Sequence, residues 1–456
     1  MQTLKLPGPK ARALIKRDSS VISPSYPRSV PFVMDHGKGT EVWDVDGNRF
    51  LDFAAGIAVT STGHSHPKVV KAIKEQADKF IHISSDFYHA NWIELGEKLD
   101  LIAPFEEAAC SFMTNSGTEA VETAIKLARY HTGRSNFIGF TGAFHGRTMG
   151  AVTFTASKTT YHRGFYPLMN GVVHAPYPNP YRPILDRSPS EDYGETVVRY
   201  IESQILTHVL PPDEVAAILV ETIQGEGGYI VPPKEYLPRL RKMCDAQNAL
   251  LVFDEVQTGF ARTGKMFACE HFDTIPDIMV MGKALGGGVP LGAIIAKHDI
   301  MRKWRPGSHS STFGGNAITM AAGLAHVQAI IEENLADRAA KLGEYAMKLL
   351  KEMQLRREII GDVRGRGLMI GVELVKNQYT KEPHEATNIQ GKCWRSGLMT
   401  LTSGFFGNVF RIAPPLCISK AQLEKGFEIF EQALKDEEEF LKLGTSAPPG
   451  ALGGHA

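Results

Sequence analysis

The sequence is poor in cysteine, carries no surplus of either charge and lacks any long apolar run. Its cysteines are Cys110, Cys244, Cys269, Cys393 and Cys417, an odd number with no C-x-x-C pair. That usage argues against a disulfide framework or a zinc site and for free thiols in a reducing compartment. Lys plus Arg is 50 and Asp plus Glu is 50, so the formal net charge is zero. Nucleic-acid binders carry a basic surplus on some face, and the composition offers none. No uninterrupted apolar run approaches the ~18 residues of a membrane span. The opening Met1-Gln-Thr-Leu-Lys-Leu-Pro-Gly-Pro-Lys10 has no apolar core of the kind a signal peptide needs. The expectation is a cytoplasmic chain with no nucleic-acid, membrane or metal partner.

What is there is ordinary for a folded protein. Hydrophobic residues make up 43% of 456, enough to bury a sizeable core. Short apolar runs alternate with helical segments: Cys110–Met113, Asn136–Phe140, Ala216–Val220, Ala249–Phe253 and Ile278–Met281. Between them, Thr118 to Tyr130 places Val121, Ile125 and Ala128 at helical spacing, with Glu122 four residues before Lys126. Buried strands alternating with helices predict an α/β fold with a mostly parallel sheet. In such sheets ligands bind beyond the carboxyl ends of the strands.

The pattern changes after about residue 330. One long helix is expected from Ala317 to Met353, then two short strands with a turn within Gly361–Leu374. A last helix begins near Ser419, where Gln422 three residues on completes a capping box. This region reads as a smaller α+β domain. Trp43–Asp52 reads as a hairpin turning on Asp-Gly-Asn. The expected divisions are residues 1–65 contributing to the small domain, 66–330 as the large domain and 331–443 as the C-terminal small domain. Residues 444–456, rich in Gly, Pro and Ala, are expected to be a disordered tail, and Pro176–Pro189 a long surface loop.

Three strand ends carry charge. Ala216–Val220 is followed by Glu221, Ala249–Phe253 by Asp254, and Ile278–Met281 by Gly282-Lys283. One such residue means little, since strand-end charges often reach solvent or cap a turn. Three together, one of them a lysine in a glycine-rich segment, suit pyridoxal phosphate. A lysine amine joins the cofactor aldehyde and shuttles a proton, while an aspartate holds the pyridine nitrogen protonated. Asn115-Ser-Gly-Thr-Glu119 follows a strand and opens a helix, and a helix N-terminus favours an anion such as phosphate. Alone it is equally an ordinary N-cap.

Asp254-Glu-Val-Gln-Thr-Gly-Phe-Ala-Arg-Thr-Gly264 followed by Gly282-Lys283 resembles the signature of class III aminotransferases, which have the fold type I architecture. The resemblance spans nearly the whole chain. It includes Thr62-Gly-His-Ser-His-Pro67, Ser116-Gly-Thr-Glu119, Phe144-His-Gly-Arg-Thr148, Glu221-Thr-Ile-Gln-Gly-Glu-Gly-Gly228 and Ser311-Thr-Phe-Gly-Gly-Asn316. Ala261 and Ala317 depart from it, standing where glycine and proline are usual.

The resemblance implies roles. Lys283 and Asp254 would be the catalytic lysine and the partner of the ring nitrogen. Ser116, Gly117 and Thr118 would bind the phosphate. Phe144 would stack on the ring with His145 beside it, Gln257 would contact the ring hydroxyl, and Glu221 and Val256 would complete the cofactor site. Thr312 would reach the phosphate of a partner subunit, because the family forms homodimers with shared active sites. Arg411 would bind an α-carboxylate, Glu226 would neutralise it when none is bound, and Arg147 would hold a second carboxylate. With Ile57 lining the pocket, this set most resembles 4-aminobutyrate aminotransferases, whose substrates are an amino acid and a 2-oxo acid. Acetylornithine and ornithine aminotransferases share most of it. Gly8-Pro-Lys-Ala-Arg12, Pro176–Arg182 and Phe406–Leu416 resemble a branch that includes amino-acid racemases and epimerases. A ligand-binding regulator on the same fold would need an added DNA-binding module, which the sequence does not display.

Overall fold

The computed structural model describes residues 4–187 and 191–445. Among them, seven strands form a central sheet in the order Ala109–Thr114, Gly292–Lys297, Ile278–Met281, Leu250–Asp254, Val215–Glu221, Asn136–Phe140 and Val172–Ala175. The last five of that order run parallel. Gly292–Lys297 runs against both its neighbours. Val215–Glu221, Leu250–Asp254 and Ile278–Met281 are buried along their whole length, because helices cover both faces of a parallel sheet. Continuous Ile, Leu, Val and Met runs satisfy that environment, so the expected strands form where the apolar runs lie. The chain has the expected α/β fold with a mostly parallel sheet.

The helix expected over Thr118–Tyr130 spans Gly117–Thr132. Ser116 caps it, accepting from the Glu119 amide, while the Glu119 carboxylate accepts from the Asn115 amide at 2.7 Å. Gly133, at φ 70°, ends it in the left-handed conformation that glycine adopts without strain.

A second layer of sheet lies outside the central one. Ile360–Arg366 and Met369–Asn377 form the expected hairpin, extended by Val409–Ile412 and Leu401–Ser403. The Trp43–Asp52 region also folds as expected: Glu41–Asp44 pairs with Arg49–Asp52 across a turn with Gly47 at φ 86°. Leu398–Met399 adds a parallel strand to that hairpin, so an N-terminal and a C-terminal stretch of the chain share a sheet. Ser419 and Gln422 exchange the predicted capping-box hydrogen bonds at 3.0 and 3.2 Å.

Three expectations are corrected. The stretch Ala317–Met353 is two helices, Ala317–Glu332 and Leu335–Arg356. Asn334 breaks them at φ 48°, a left-handed value that asparagine tolerates better than most residues. The first helix is largely buried and the second buries only one stripe, so each packs on its own surface. The Pro176–Pro189 segment does not lie wholly on the surface: Ala175 to Pro178 are buried, and Tyr177 donates to the carbonyls of Glu221 and Thr222. Residues 188–190 lie outside the described part. The final helix runs through Thr445, past the expected start of the tail, and residues 446–456 lie outside the described residues.

Arg262 ties these layers together. It is fully buried and donates to the carbonyls of Leu368 (3.1 Å) and Pro414 (2.6 Å) and to the Ser61 hydroxyl (3.3 Å). Burial pushes its pKa down to about 10, which still leaves the guanidinium charged at neutral pH.

Candidate active site

The register of the sheet brings the strand-end charges together. Glu221 lies directly opposite Asp254, and Asp254 opposite Val280, three residues before Lys283. These ends open onto a cavity of about 270 Å³. Its lining includes Gly117, Thr118, Phe144, His145, Arg147, Glu221, Asp254, Val256, Gln257 and Lys283, drawn from stretches of chain up to 166 residues apart (283 − 117).

Asp254 is held on both sides. Its Oδ1 accepts from the Val256 amide at 2.9 Å, and its Oδ2 accepts from Nδ1 of His145 at 2.7 Å. Burial disfavours charge on His145, but the hydrogen bond and negative charge of Asp254 outweigh it and raise its pKa above 6.5. The His145 Nε2 is buried and has no hydrogen-bond partner among the described residues. Glu221 accepts from the amides of Phe144 (3.1 Å) and Gly225 (2.9 Å). Burial pushes its pKa up to about 7, with His145 acting in the opposite direction.

Lys283 follows Gly282 at the end of its strand and is itself at φ 45°. A lysine in that conformation is costly, on the order of 1 kcal/mol or more, and such strain clusters at functional sites. Burial lowers its pKa to about 8, against the opposing pull of Asp254 and Glu221.

Another part of the cavity wall is the start of the Gly117–Thr132 helix, whose free amides favour an anion. Thr118 Oγ1 lies 2.8 Å from Thr148 Oγ1. Gly146, at φ 130°, passes so close that a Cβ there would come within 2.1 Å of Thr118 Oγ1. At Gly117 a Cβ would meet Val256 Cγ1 at 2.9 Å. Ser116 is used as the helix cap and does not line the cavity. Gln257 accepts from the Tyr229 hydroxyl at 3.1 Å.

Beside this cavity lies a group of charges. Arg411, on the strand Val409–Ile412, has its NH1 3.4 Å from Glu226 Oε2. The other Glu226 oxygen accepts from Lys158 Nζ at 2.9 Å and from the Tyr161 hydroxyl at 3.4 Å. Arg147 stacks over the rings of Phe144 (4.9 Å) and Tyr161 (5.0 Å). Sequence reasoning paired Arg411 with Glu226 but missed Lys158 and Tyr161. They flank and end the short 3-10 helix Thr159–Tyr161, which carries no motif, and only the fold carries them to Glu226.

Two expected residues stand away from the cavity. Ile57 is 47% exposed, within a run of left-handed residues from Ala55 to Ala58. Asp52 pins the start of that run, accepting from the amides of Ala54 and Ala55 while contacting His64 at 2.8 Å. Thr312 is exposed, next to Phe313, which is 58% exposed.

Comparison with known proteins places this geometry. The family model described as "Aminotransferase class-III" matches residues 22–434. The alanine/serine racemase of Pyrococcus horikoshii is 43% identical over 95% of this chain and 92% of its own. A probable 4-aminobutyrate aminotransferase of Bacillus subtilis is 38% identical over 88% of this chain and 92% of its own. Among solved structures, the omega transaminase from Pseudomonas jessenii in complex with PMP superposes with a TM-score of 0.86 at 27% identity, covering 93% of this chain and 98% of that one.

The chain belongs to the class III aminotransferases, enzymes that depend on pyridoxal phosphate. The residues present fit that cofactor: an amine of lowered pKa at a strand end, a fixed carboxylate at the end of the neighbouring strand, and a helix N-terminus kept clear by two glycines. The depressed pKa of Lys283 has a testable consequence. Only the neutral amine attacks an aldehyde, and at a pKa of about 8 roughly one molecule in ten is neutral at pH 7. The rate at which the cofactor-free protein captures pyridoxal phosphate should therefore rise with pH and level off above about 8. Stopped-flow absorbance would read it. A rate still climbing tenfold per pH unit at pH 9.5 would show that Lys283 keeps an ordinary lysine pKa.

Proposed function

We propose that this enzyme transfers the amino group of an ω-amino acid, 4-aminobutyrate, to 2-oxoglutarate, giving a semialdehyde and glutamate. The observation that carries the reading is the Arg411–Glu226 pair at 3.4 Å beside a second arginine, Arg147. An arginine fork binds carboxylate bidentately. With Glu226 neutralising Arg411, the site accepts a donor whose only carboxylate is distant from the reacting amine, held by Arg147. With Glu226 turned aside, Arg411 takes the α-carboxylate and Arg147 the far carboxylate of 2-oxoglutarate.

Bound pyridoxal phosphate supplies an aldehyde for the amine and a ring that accepts electrons. Lys283 Nζ takes the proton from the amine-bearing carbon, a task suited to an amine with a pKa of about 8. Asp254, oriented by the Val256 amide and by His145, holds a proton on the ring nitrogen. Gly117 and Thr118, at the start of the helix that Ser116 caps, would hold the phosphate, and Phe144 and Gln257 would hold the ring. Glu221 steadies the backbone of Phe144 and Gly225. The working unit is a homodimer in the cytoplasm, with Thr312 reaching the partner's phosphate site and Ile57 bordering the shared pocket. Exposed Ile57, Phe87, Tyr88 and Phe313 are the apolar surface such a dimer would cover.

The test is an absorbance spectrum of the cofactor-loaded protein mixed with 4-aminobutyrate alone, with ornithine and N-acetylornithine run in parallel. The reading expects the cofactor's aldehyde band to vanish stoichiometrically with 4-aminobutyrate and to return on adding 2-oxoglutarate. Response to ornithine or N-acetylornithine alone would move the donor to that class. A second reading, an amino-acid racemase, is favoured by the 43% identity to the Pyrococcus horikoshii enzyme. It expects the band to persist while L-alanine or L-serine turns into its D form without any 2-oxo acid.

A further inference from the structure

Glu226 has two cations, not one. Its Oε1 is held by Lys158 Nζ at 2.9 Å and Tyr161 Oη at 3.4 Å, while its Oε2 faces Arg411 NH1 at 3.4 Å. All three charged side chains are largely shielded, at 30%, 16% and 10% relative exposure for Lys158, Glu226 and Arg411. The backbone carrying Lys158 is fixed. Ala156 exchanges backbone hydrogen bonds with Ala143 (2.9 Å) and Gly142 (3.0 Å), and the Tyr161 ring packs edge-on against Phe144 at 5.4 Å. Arg147, by contrast, has no carboxylate within 4.0 Å among the described residues.

We propose that Lys158, with Tyr161, is a positioning residue that sets how readily Glu226 releases Arg411, and so sets the preference between α-carboxylate and ω-amino substrates. The inference rests on the reading of Arg411 as the α-carboxylate site. A buried carboxylate stripped of its last cation is strongly disfavoured. If Arg411 were the only cation on Glu226, an incoming α-carboxylate would have to leave Glu226 bare. Lys158 keeps a charge-assisted hydrogen bond on the other oxygen throughout, so Glu226 needs only to loosen one end. Lys158 also draws electron density and position away from Arg411, leaving that contact the longer of the two. Loss of Lys158 therefore tightens Glu226 onto Arg411. Substrates that need Arg411 suffer, and substrates that leave the pair closed do not.

The experiment uses the cofactor-loaded protein and two readouts. The first is calorimetric binding of glutarate, which needs both arginines, against pentanoate, which needs one. The second is the ratio of half-reaction specificity (kcat/KM) for glutamate over 4-aminobutyrate. In Lys158→Met the glutarate-over-pentanoate preference and the kinetic ratio should each fall about tenfold, the scale of one charge-assisted contact. Lys158→Arg should retain most of both. In a Glu226→Ala background, adding Lys158→Met should change neither, because Lys158 acts through Glu226. Equal weakening of both ligands in Lys158→Met, or an undiminished effect in the Glu226→Ala background, would overturn the proposal. Absence of any response to 4-aminobutyrate, with the glutarate preference falling as expected, would remove the proposed donor and leave the role of Lys158 standing.

Discussion

Replacing Lys283 with alanine should lower kcat by about 10³-fold or more while the protein stays folded and still binds pyridoxal phosphate through its other contacts. The physical case rests on where the amine sits. Lys283 is half-buried at a strand end, close enough to Asp254 and Glu221 to feel their charge, and burial brings its pKa to about 8. A base near neutral can take a proton from carbon and give it back in one turnover. Alanine has no proton carrier, and no neighbouring group is placed to substitute: Glu221 is committed to the Phe144 and Gly225 amides, and His145 to Asp254. Lys283→Arg should fail as well, because a guanidinium stays charged at any working pH. Single-turnover absorbance gives the rate, and a thermal melt separates chemistry from misfolding. A Lys283→Ala protein with wild-type turnover would end the mechanism drawn for this site.

Asp254→Asn should lower kcat by about 10²–10³-fold, the scale of removing one preorganised electrostatic partner from a closed site. Asparagine preserves the size and can still accept from the Val256 amide, so the fold should survive. What it lacks is the charge that keeps a proton on the ring nitrogen. The same charge raises the pKa of His145 against the burial that lowers it, so the variant should bring that pKa down. Below the folded pKa the imidazolium form adds stability in the wild type, and that contribution is lost as pH rises through it. The variant should show less stability change than wild type across the pH range above 6.5. Proton magnetic resonance of the His145 ring, with kcat measured alongside, tests both halves. An unchanged kcat would mean that Asp254 only braces the sheet edge.

Much of this molecule follows from local pattern. Strands buried on both faces demand unbroken apolar runs, so Val215–Glu221, Leu250–Asp254 and Ile278–Met281 are visible in the chain as written. Caps are equally local: Ser419 with Gln422, and Ser116 at the start of a helix, act within four residues of themselves. Because strand ends in a parallel sheet share one edge, Glu221, Asp254 and Lys283 could be assigned to one place before any coordinates.

Other features depend on what is packed against them, and tertiary structure alone decides those. Helical periodicity carries across Glu333-Asn334, so the break between Glu332 and Leu335 shows only when two helices pack on different surfaces. Prolines suggest a surface loop, yet Pro176 to Pro178 are buried because Tyr177 finds backbone acceptors at the end of the central sheet. Ile57, expected to line the pocket, and Thr312, expected to reach a partner's phosphate, are both exposed in the single chain. Lys158 and Tyr161 stand 68 and 65 residues from Glu226, in a segment with no periodicity or signature. Charge pairing acts over a few ångströms of space and leaves no trace in spacing along the chain, so the second cation on Glu226 exists only in the folded protein.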